Sequence, residues 1–162
     1  MARTKAKSPS RRARRPTATR RRTATKATGT ARRQTKPRQR FVVSHHREED
    51  FEGGLRRYAK YRDLGIAQAT NGMVRAHLIR FVPPCRPEEV SKRHYHDVDF
   101  QMVYVLKGWI KTELDGQGAI VMRAGSAWIQ PPRIEHVVLD YSDDCEVLEV
   151  ILPADFATVE LE

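Results

Sequence analysis

Short apolar segments separated by turn residues fill the sequence after Gly65, and they constrain the fold more than any other feature. The segments are rich in β-branched and aromatic residues, which favour strands. Turn signals such as Asn71-Gly72 and Asp115-Gly116 separate them. We predict strands over residues 66–70, 73–82, 100–107, 109–115, 119–122, 127–130, 136–141 and 146–152. Many short strands at a spacing of about 8–12 residues predict an all-β sandwich or barrel.

Residues 1–40 differ sharply in composition from the rest of the chain. They contain 16 of the 30 Lys and Arg residues and none of the 20 Asp and Glu residues. Between Ala2 and Arg40 there is no Leu, Ile, Val, Phe, Tyr, Trp or Met, so nothing there offsets the entropy cost of ordering. We predict a disordered basic tail over residues 1–40 and one folded domain over residues 41–162, which begins with a charged arm at residues 46–65.

The net charge of +10 and the isoelectric point of about 10.1 describe the tail and not the domain. Residues 41–162 hold 14 basic and 20 acidic side chains, so the domain carries a formal charge of −6. The tail is similar to histone-like tails, and a flexible polycation of this kind binds nucleic acid weakly and without sequence preference. A solvated extension without a partner, or a stretch translated upstream of the true start, is the alternative interpretation.

Cysteine content and hydropathy indicate the compartment. Cys85 and Cys145 are the two cysteines of the chain, and their wide separation predicts two reduced thiols. No apolar run approaches the ~20 residues that span a bilayer, and the tail lacks the apolar region of a secretory signal. The sequence therefore predicts a soluble, cytoplasmic protein without a membrane partner.

Two polar motifs interrupt the predicted strands. In the first, His94 and His96 lie two residues apart in an extended segment, so both imidazoles project from the same face in a chelating arrangement. Gln101 follows at an odd offset, so residues 97–100 must turn the chain onto a neighbouring strand. In the second motif, Pro131-Pro132 shapes a loop and His136 opens the next strand.

These two segments resemble the two signature motifs of the cupin family, in the order that cupins have them. The first cupin motif has two histidines separated by one residue, then an acidic residue and a glycine; the second has glycine, proline, glycine and histidine. The matching residues are His94, His96, Gln101 and Gly108 in the first motif, and Gly125, Pro131 and His136 in the second. Three positions depart from the pattern: Gln101 replaces Glu, Arg133 replaces the inner Gly of the second motif, and Asp140 replaces its terminal Asn.

The resemblance implies a fold and a cofactor. In cupins the matching residues bind a divalent metal inside a double-stranded β-helix, which is a jelly-roll barrel. His94, His96, Gln101 and His136 are therefore the implied ligands of one divalent metal ion. Fe, Mn, Ni, Co and Zn all accept imidazole nitrogen and amide oxygen. Three unrelated histidines held by hydrogen bonds are the alternative.

The neutral amide of Gln101 bears on function. Three imidazoles and an amide leave the full +2 charge at the metal, which favours anionic ligands and Lewis-acid chemistry. The set is similar to that of the small cupins of pectin and alginate breakdown, which help convert unsaturated uronates to linear keto acids. This implies an isomerase or lyase acting on a sugar-acid-like substrate. A non-haem iron dioxygenase and a non-catalytic, metal-dependent small-molecule binding module are alternatives, so catalysis itself stays open.

Alternation along the strands predicts which side chains surround the site. If Gln101 and His136 face the interior, Val103, Val105, Val138 and Asp140 face it too. Candidate substrate-binding residues stand beside the ligand residues at loops or strand ends: Arg93, Tyr95, Arg133 and Glu135. Small cupins commonly pair through a sheet edge, and residues 65–82 supply strands for this, so we expect a homodimer.

Overall fold

The computed structural model describes residues 38–54, 56–90 and 92–161. The strands, numbered in chain order, are β1 Glu52–Gly53, β2 Ala59–Asp63, β3 Arg75–Phe81, β4 His94–Asp97, β5 Phe100–Lys107, β6 Trp109–Leu114, β7 Gly118–Arg123, β8 Ala127–Ile129, β9 His136–Tyr141, β10 Glu146–Leu152 and β11 Ala157–Glu160. A 3-10 turn at Glu48–Asp50 and two short helices, α1 Ile66–Ala69 and α2 Pro87–Val90, complete the elements. The predicted tail lies outside the described residues, apart from residues 38–40.

The strands form two antiparallel sheets. Six strands are ordered β1-β2-β3-β10-β5-β8, and five are ordered β11-β4-β9-β6-β7. The chain crosses between the sheets repeatedly, as it does from β4 to β5 and from β9 to β10. The fold is the cupin jelly roll, and the predicted fold class is confirmed. No helix in the described part of the chain has the length and apolar character needed to cross a membrane.

Strand β5 shows why the sequence folds this way. Its buried residues alternate with more exposed ones, so Gln101, Val103 and Val105 face the interior while Tyr104 and Leu106 face outward. Val105 is completely buried in a cluster that also contains Val147 and Tyr141. Burying side chains of this size contributes about 1.5–3 kcal/mol each, and this contribution fixes the register of the strand. The predicted inward set on this strand is confirmed.

Strand β9 contains a β-bulge that corrects one prediction. Lys111 of β6 pairs with Asp140, but its neighbour Thr112 pairs with Val138, so Leu139 is an extra residue on β9. A bulge reverses the alternation beyond it. Val138 therefore packs against the core as predicted, whereas Asp140 is exposed and Tyr141 is buried in its place.

The region before β4 departs most from the predicted strands. Residues 66–69 form helix α1 and not a strand; the Thr70 hydroxyl donates to the Ile66 carbonyl oxygen (2.8 Å) at the end of its single turn. Part of the predicted arm forms strand β2, which pairs with β3. Strand β3 lies between β2 and β10, so it has no free edge, and it does not supply the expected dimer contact. The homodimer itself stays a prediction.

The described part of the predicted tail contacts the domain. The Arg40 backbone N–H donates to the Ala69 carbonyl oxygen (2.8 Å), and the Asn71 side-chain amide donates to the Arg38 carbonyl oxygen (2.6 Å). Residues 38–40 therefore lie against helix α1 and the turn that follows it.

Gly108 closes the turn between β5 and β6, and we expect Gly108→Ala to destabilise the domain strongly. Its φ of +66° favours glycine, and an added Cβ would lie 2.6 Å from Asp144 Oδ1 and 3.1 Å from the Cys145 Cα. The backbone strain costs roughly 1 kcal/mol and the overlap about 1–3 kcal/mol more. The free energy of unfolding, measured by urea denaturation, should fall by their sum.

Gly116→Ala is the matched control. Gly116 has a φ of +71° but nothing within 4 Å of an added Cβ, so it should lose only the backbone contribution. Equal losses in the two variants would contradict the close packing described around Gly108.

Candidate metal centre

Pairing between β4 and β9 brings the two sequence motifs together. His94 and His136 are direct cross-strand partners, and His96 lies two residues further along β4 on the same face. The ring centroids are 4.3 Å apart for His94 and His136, 5.1 Å for His94 and His96, and 5.2 Å for His96 and His136. One ring nitrogen from each histidine lies within 4.8 Å of the other two. This cluster could hold a metal ion.

Hydrogen bonds on the far side of the rings fix which nitrogen is available. His94 Nδ1 lies 2.8 Å from the Lys92 carbonyl oxygen, and His136 Nδ1 lies 3.0 Å from the Ile134 carbonyl oxygen. Because a carbonyl oxygen only accepts, both Nδ1 atoms must carry the proton, and the lone pair is on Nε2. His96 Nδ1 contacts Thr158 Oγ1 at 2.9 Å. Outer partners of this kind are typical of metal-binding histidines.

Burial keeps the three imidazoles neutral. It lowers the pKa of His96 to about 4 and that of His136 to about 4, and it also lowers the pKa of His94. The positive charge of Arg56 acts in the same direction on His94 and His96. Neutral imidazole is the form that binds metal, so no proton has to be displaced near pH 7.

Gln101 belongs to the opposite sheet and is held by a carboxylate. Its side chain is 1% exposed, and its Nε2 donates to Glu149 Oε1 at 2.6 Å. A carboxylate only accepts, so the amide N–H group must face Glu149, and Gln101 Oε1 is the atom that this contact leaves unused. The contact is diagonal across the sheet, since Glu149 is the direct partner of Val103.

Glu149 is a site residue that sequence reasoning missed. His77, its direct partner on β3, donates through Nε2 to Glu149 Oε2 at 2.6 Å. Burial acts to raise the pKa of Glu149, but the hydrogen bond and charge of His77 and the hydrogen bond from Gln101 outweigh it, so this pKa is lowered. The carboxylate is therefore ionised near pH 7 and sits next to the candidate ligand Gln101.

A cavity of about 680 Å³ lies between the sheets, within the usual range for small-molecule sites. The three histidines line it from one sheet, and His77 and Glu149 line it from the other. Residues 50 and 52–54 of the arm also line it. Aromatic and basic side chains of the wall are Tyr58, Tyr61, Phe81, Trp128, Phe156, Arg56 and Arg75, and apolar residues such as Val103 and Ile110 also line it.

The four predicted substrate-binding residues do not line this cavity. Arg93 and Tyr95 alternate with the two histidines of β4 and so point to the opposite face. Arg93 forms an ion pair with Glu113, and Arg133 Nη2 donates to the Tyr95 hydroxyl at 3.2 Å. Glu135 directly precedes His136 and is likewise absent from the wall. Alternation along β4 and β9 could have predicted this for Tyr95 and Glu135.

Arg133 is a departure from the second cupin motif that leaves the type of backbone conformation at its position unchanged. It stands at the position of the inner glycine of the motif and has a φ of +62°. This left-handed conformation is uncommon for a residue with a side chain, and it is the conformation that glycine adopts without strain. The loop before His136 thus keeps the glycine-type backbone with an exposed arginine.

Comparisons with known proteins agree with this fold. Residues 85–151 match the family model described as Cupin domain, and no curated protein matches the sequence. The polyketide cyclase RemF from Streptomyces resistomycificus is similar in structure, with a TM-score of 0.58 and 17% identity over 75% of this chain and 87% of that one. KdgF from Halomonas sp. has a TM-score of 0.53 and 19% identity over 68% and 94% of the two chains.

Larger proteins contain the same fold. Oxalate decarboxylase from Lactobacillus farciminis, in its formate complex, has a TM-score of 0.54 and 15% identity over 70% of this chain. The chain spans about a third of that protein, 34% of its length. Identities this low show a shared fold alone. The family match over residues 85–151 and the shared jelly roll together support the cupin superfamily for this domain.

Proposed function

We propose that the protein binds one divalent metal ion through His94, His96, Gln101 and His136 and uses it to bind a small anionic molecule. The observation that carries this proposal is the cluster of three neutral histidines, two of them buried and His96 partly buried, in the wall of a cavity of ligand size. The amide oxygen of Gln101, turned away from Glu149, would supply a fourth ligand from the facing sheet. Fe, Mn, Ni, Co and Zn fit this set of donors.

The distribution of charge supports an anionic ligand. The four donors are neutral, so the metal would keep its +2 charge, and the carboxylate of Glu149 would act on it through Gln101, which it contacts. When bound, such a metal attracts carboxylates and polarises carbonyl or hydroxyl oxygens. The chain's own residues hold the donors in place, and the aromatic side chains of Tyr61, Trp128 and Phe156 give the cavity part of its apolar wall.

The reaction we propose is a Lewis-acid isomerisation or elimination on a sugar-acid-like substrate. It rests on the similarity of the ligand set to that of the uronate-converting cupins, and on a cavity that would admit a molecule of this size. The role of Glu149 in this proposal is to orient Gln101, because both of its oxygens already accept hydrogen bonds.

Metal analysis of the purified full chain, followed by ligand and activity assays, tests this function. We expect one equivalent of a divalent metal, and calorimetric binding of D-galacturonate that disappears after chelation and returns with metal. Turnover of an unsaturated uronate without O₂ would support the isomerase or lyase. O₂ uptake with catechol would support a dioxygenase instead. A protein that holds no metal, or that binds galacturonate equally well after chelation, would overturn the proposal.

A further inference from the structure

The outer surface of the six-stranded sheet, on the side away from the cavity, is apolar where β5, β8 and β10 pair. The side chains on this side alternate with those that line the cavity or fill the core, and none of them lines the cavity. We call them the outer apolar face: Met102, Tyr104 and Leu106 of β5, Leu148 and Val150 of β10, and Ile129 of β8.

Strand pairing makes this face continuous. Val150 is the direct partner of Met102, which is in turn the partner of Ile129, and Leu148 is the partner of Tyr104. Ile129 is 57% exposed and Leu106 is 43% exposed. An antiparallel sheet with one solvated face normally carries polar residues on that face, whereas apolar residues on both faces are typical of a sheet that is covered on both sides.

The chain itself covers the other end of the same sheet surface. Arg62 of β2 is the partner of Leu78, and Leu78 is the partner of Leu148, so Arg62 lies on the same side of the sheet as the outer apolar face. Arg62 Nη2 donates to Ser44 Oγ (2.9 Å) and to the His45 carbonyl oxygen (2.6 Å), and Arg62 is only 3% exposed. The residues just before the arm therefore cover the sheet at β2, while side chains of β5 and β8 stay exposed.

Phe41 is an exposed apolar side chain near the covered end. It is 92% exposed, although its backbone is fixed on both sides. The Arg40 N–H group donates to the Ala69 carbonyl oxygen before it, and Ser44 contacts Arg62 after it. Three residues of extended chain span about 10 Å, so Phe41 lies within this distance of Ser44. The same side of the molecule thus presents both an apolar face and a fixed aromatic side chain.

Composition and charge indicate what covers the face. Residues 2–40 contain no Leu, Ile, Val, Phe, Tyr, Trp or Met, so this part of the chain has no large apolar side chains to place on it. The border of the face carries both signs of charge, in the ion pairs Arg80–Glu146 (3.0 Å) and Lys107–Asp144 (3.8 Å). An apolar centre with a polar rim is typical of a protein–protein interface. A rim of mixed sign suits a second copy of itself.

We propose that two copies of the chain pair through their outer apolar faces about a two-fold axis, with Phe41 of each copy packed on its partner. A strand spacing of about 4.8 Å and a rise of about 3.4 Å per residue give a face of roughly 15 by 20 Å. Phe41 adds about 200 Å². The two copies together would bury about 1,000 Å², the lower limit for a specific interface. The contact uses a sheet face and not the edge expected from the sequence, and it requires no metal.

Sedimentation velocity of the full chain, over a series from micromolar to millimolar protein, tests the proposal. We expect a monomer–dimer equilibrium with a Kd on the order of micromolar, as for other interfaces of this size. Tyr104→Glu would bury an unpaired carboxylate in the contact, so it should raise the Kd at least about tenfold. Val159→Glu is the matched control, because Val159 is also 37% exposed but lies on β11 of the other sheet. It should leave the Kd unchanged.

Phe41→Ser keeps the test decisive if Tyr104→Glu does not fold. The side chain of Phe41 is almost fully exposed, so its removal should not change the melting temperature, but it should raise the Kd at least about tenfold. A wild type that stays monomeric throughout the series, or a dimer that both variants leave unchanged, would overturn the proposal. Neutral phosphatidylcholine vesicles test the other occupant. A monomer that cosediments with them, and fails to do so as Tyr104→Glu, would assign the face to a lipid surface and overturn the pairing.

Discussion

Replacing His94 or His136 with alanine should abolish stoichiometric metal binding. Each change removes one of four proposed ligands, and the remaining donors form an incomplete set. Loss of a residue that only hydrogen-bonds a metal ligand typically lowers the affinity for the metal about 10- to 100-fold, so loss of a ligand itself should lower it further. Elemental analysis after dialysis, together with titration with Mn²⁺, would measure both the stoichiometry and the affinity.

His45→Ala is the matched control for these variants. His45 is exposed, directly precedes the arm and does not line the cavity, so its loss should leave metal content unchanged. The two cavity variants should remain folded, which circular dichroism would show. Undiminished metal in both His94→Ala and His136→Ala would contradict the assignment of the site.

Gln101→Glu should destabilise the metal-free protein by about 3 kcal/mol or more, the order of the cost of leaving a buried charge uncompensated. The new carboxylate would replace the amide that now donates to Glu149, so two carboxylates would face each other in a buried position. Repulsion would raise the pKa of the pair above the value in the unfolded chain. The loss should therefore be largest near pH 7 and should shrink as the pH falls and the pair takes up a proton.

The double variant Gln101→Glu with Glu149→Gln tests this pair directly. It exchanges the amide and the carboxylate, so the hydrogen bond between the two positions can form again and most of the lost stability should return. It also moves the negative charge to the metal ligand, so metal should be held more tightly and galacturonate more weakly. Urea denaturation of the four proteins of this cycle gives the coupling between the positions. If the effects of the two single substitutions on the free energy of unfolding simply add in the double variant, the contact between positions 101 and 149 would be contradicted.

Local alternation predicted the strands that carry a clear apolar pattern. The predictions over residues 100–107, 136–141 and 146–152 match β5, β9 and β10, because each strand alternates and ends at a turn. Strand β2 was missed because three of its five residues, Lys60, Arg62 and Asp63, are charged. Strand β2 therefore forms because it pairs with β3, and not because of an apolar pattern of its own.

Some residues of the candidate site could likewise be predicted from the local sequence, whereas others depend on pairing between distant strands. The shared face of His94 and His96 follows from their spacing, and the place of His136 followed from the cupin resemblance. The role of Glu149 in the site could not be predicted from the sequence. Its contacts with Gln101 and His77 form because β10 lies between β5 and β3 in the sheet. The prediction that Asp140 faces the interior was wrong because nothing in the sequence indicates the bulge at Leu139.

Crystals of the zinc-loaded protein, with anomalous diffraction recorded at the zinc absorption edge, test the central claim most directly. We predict one strong peak about 2.0–2.2 Å from Nε2 of His94, His96 and His136, with Gln101 Oε1 at a similar distance. No peak within this cluster, or a peak with Gln101 Oε1 turned away from it, would contradict the proposed metal centre.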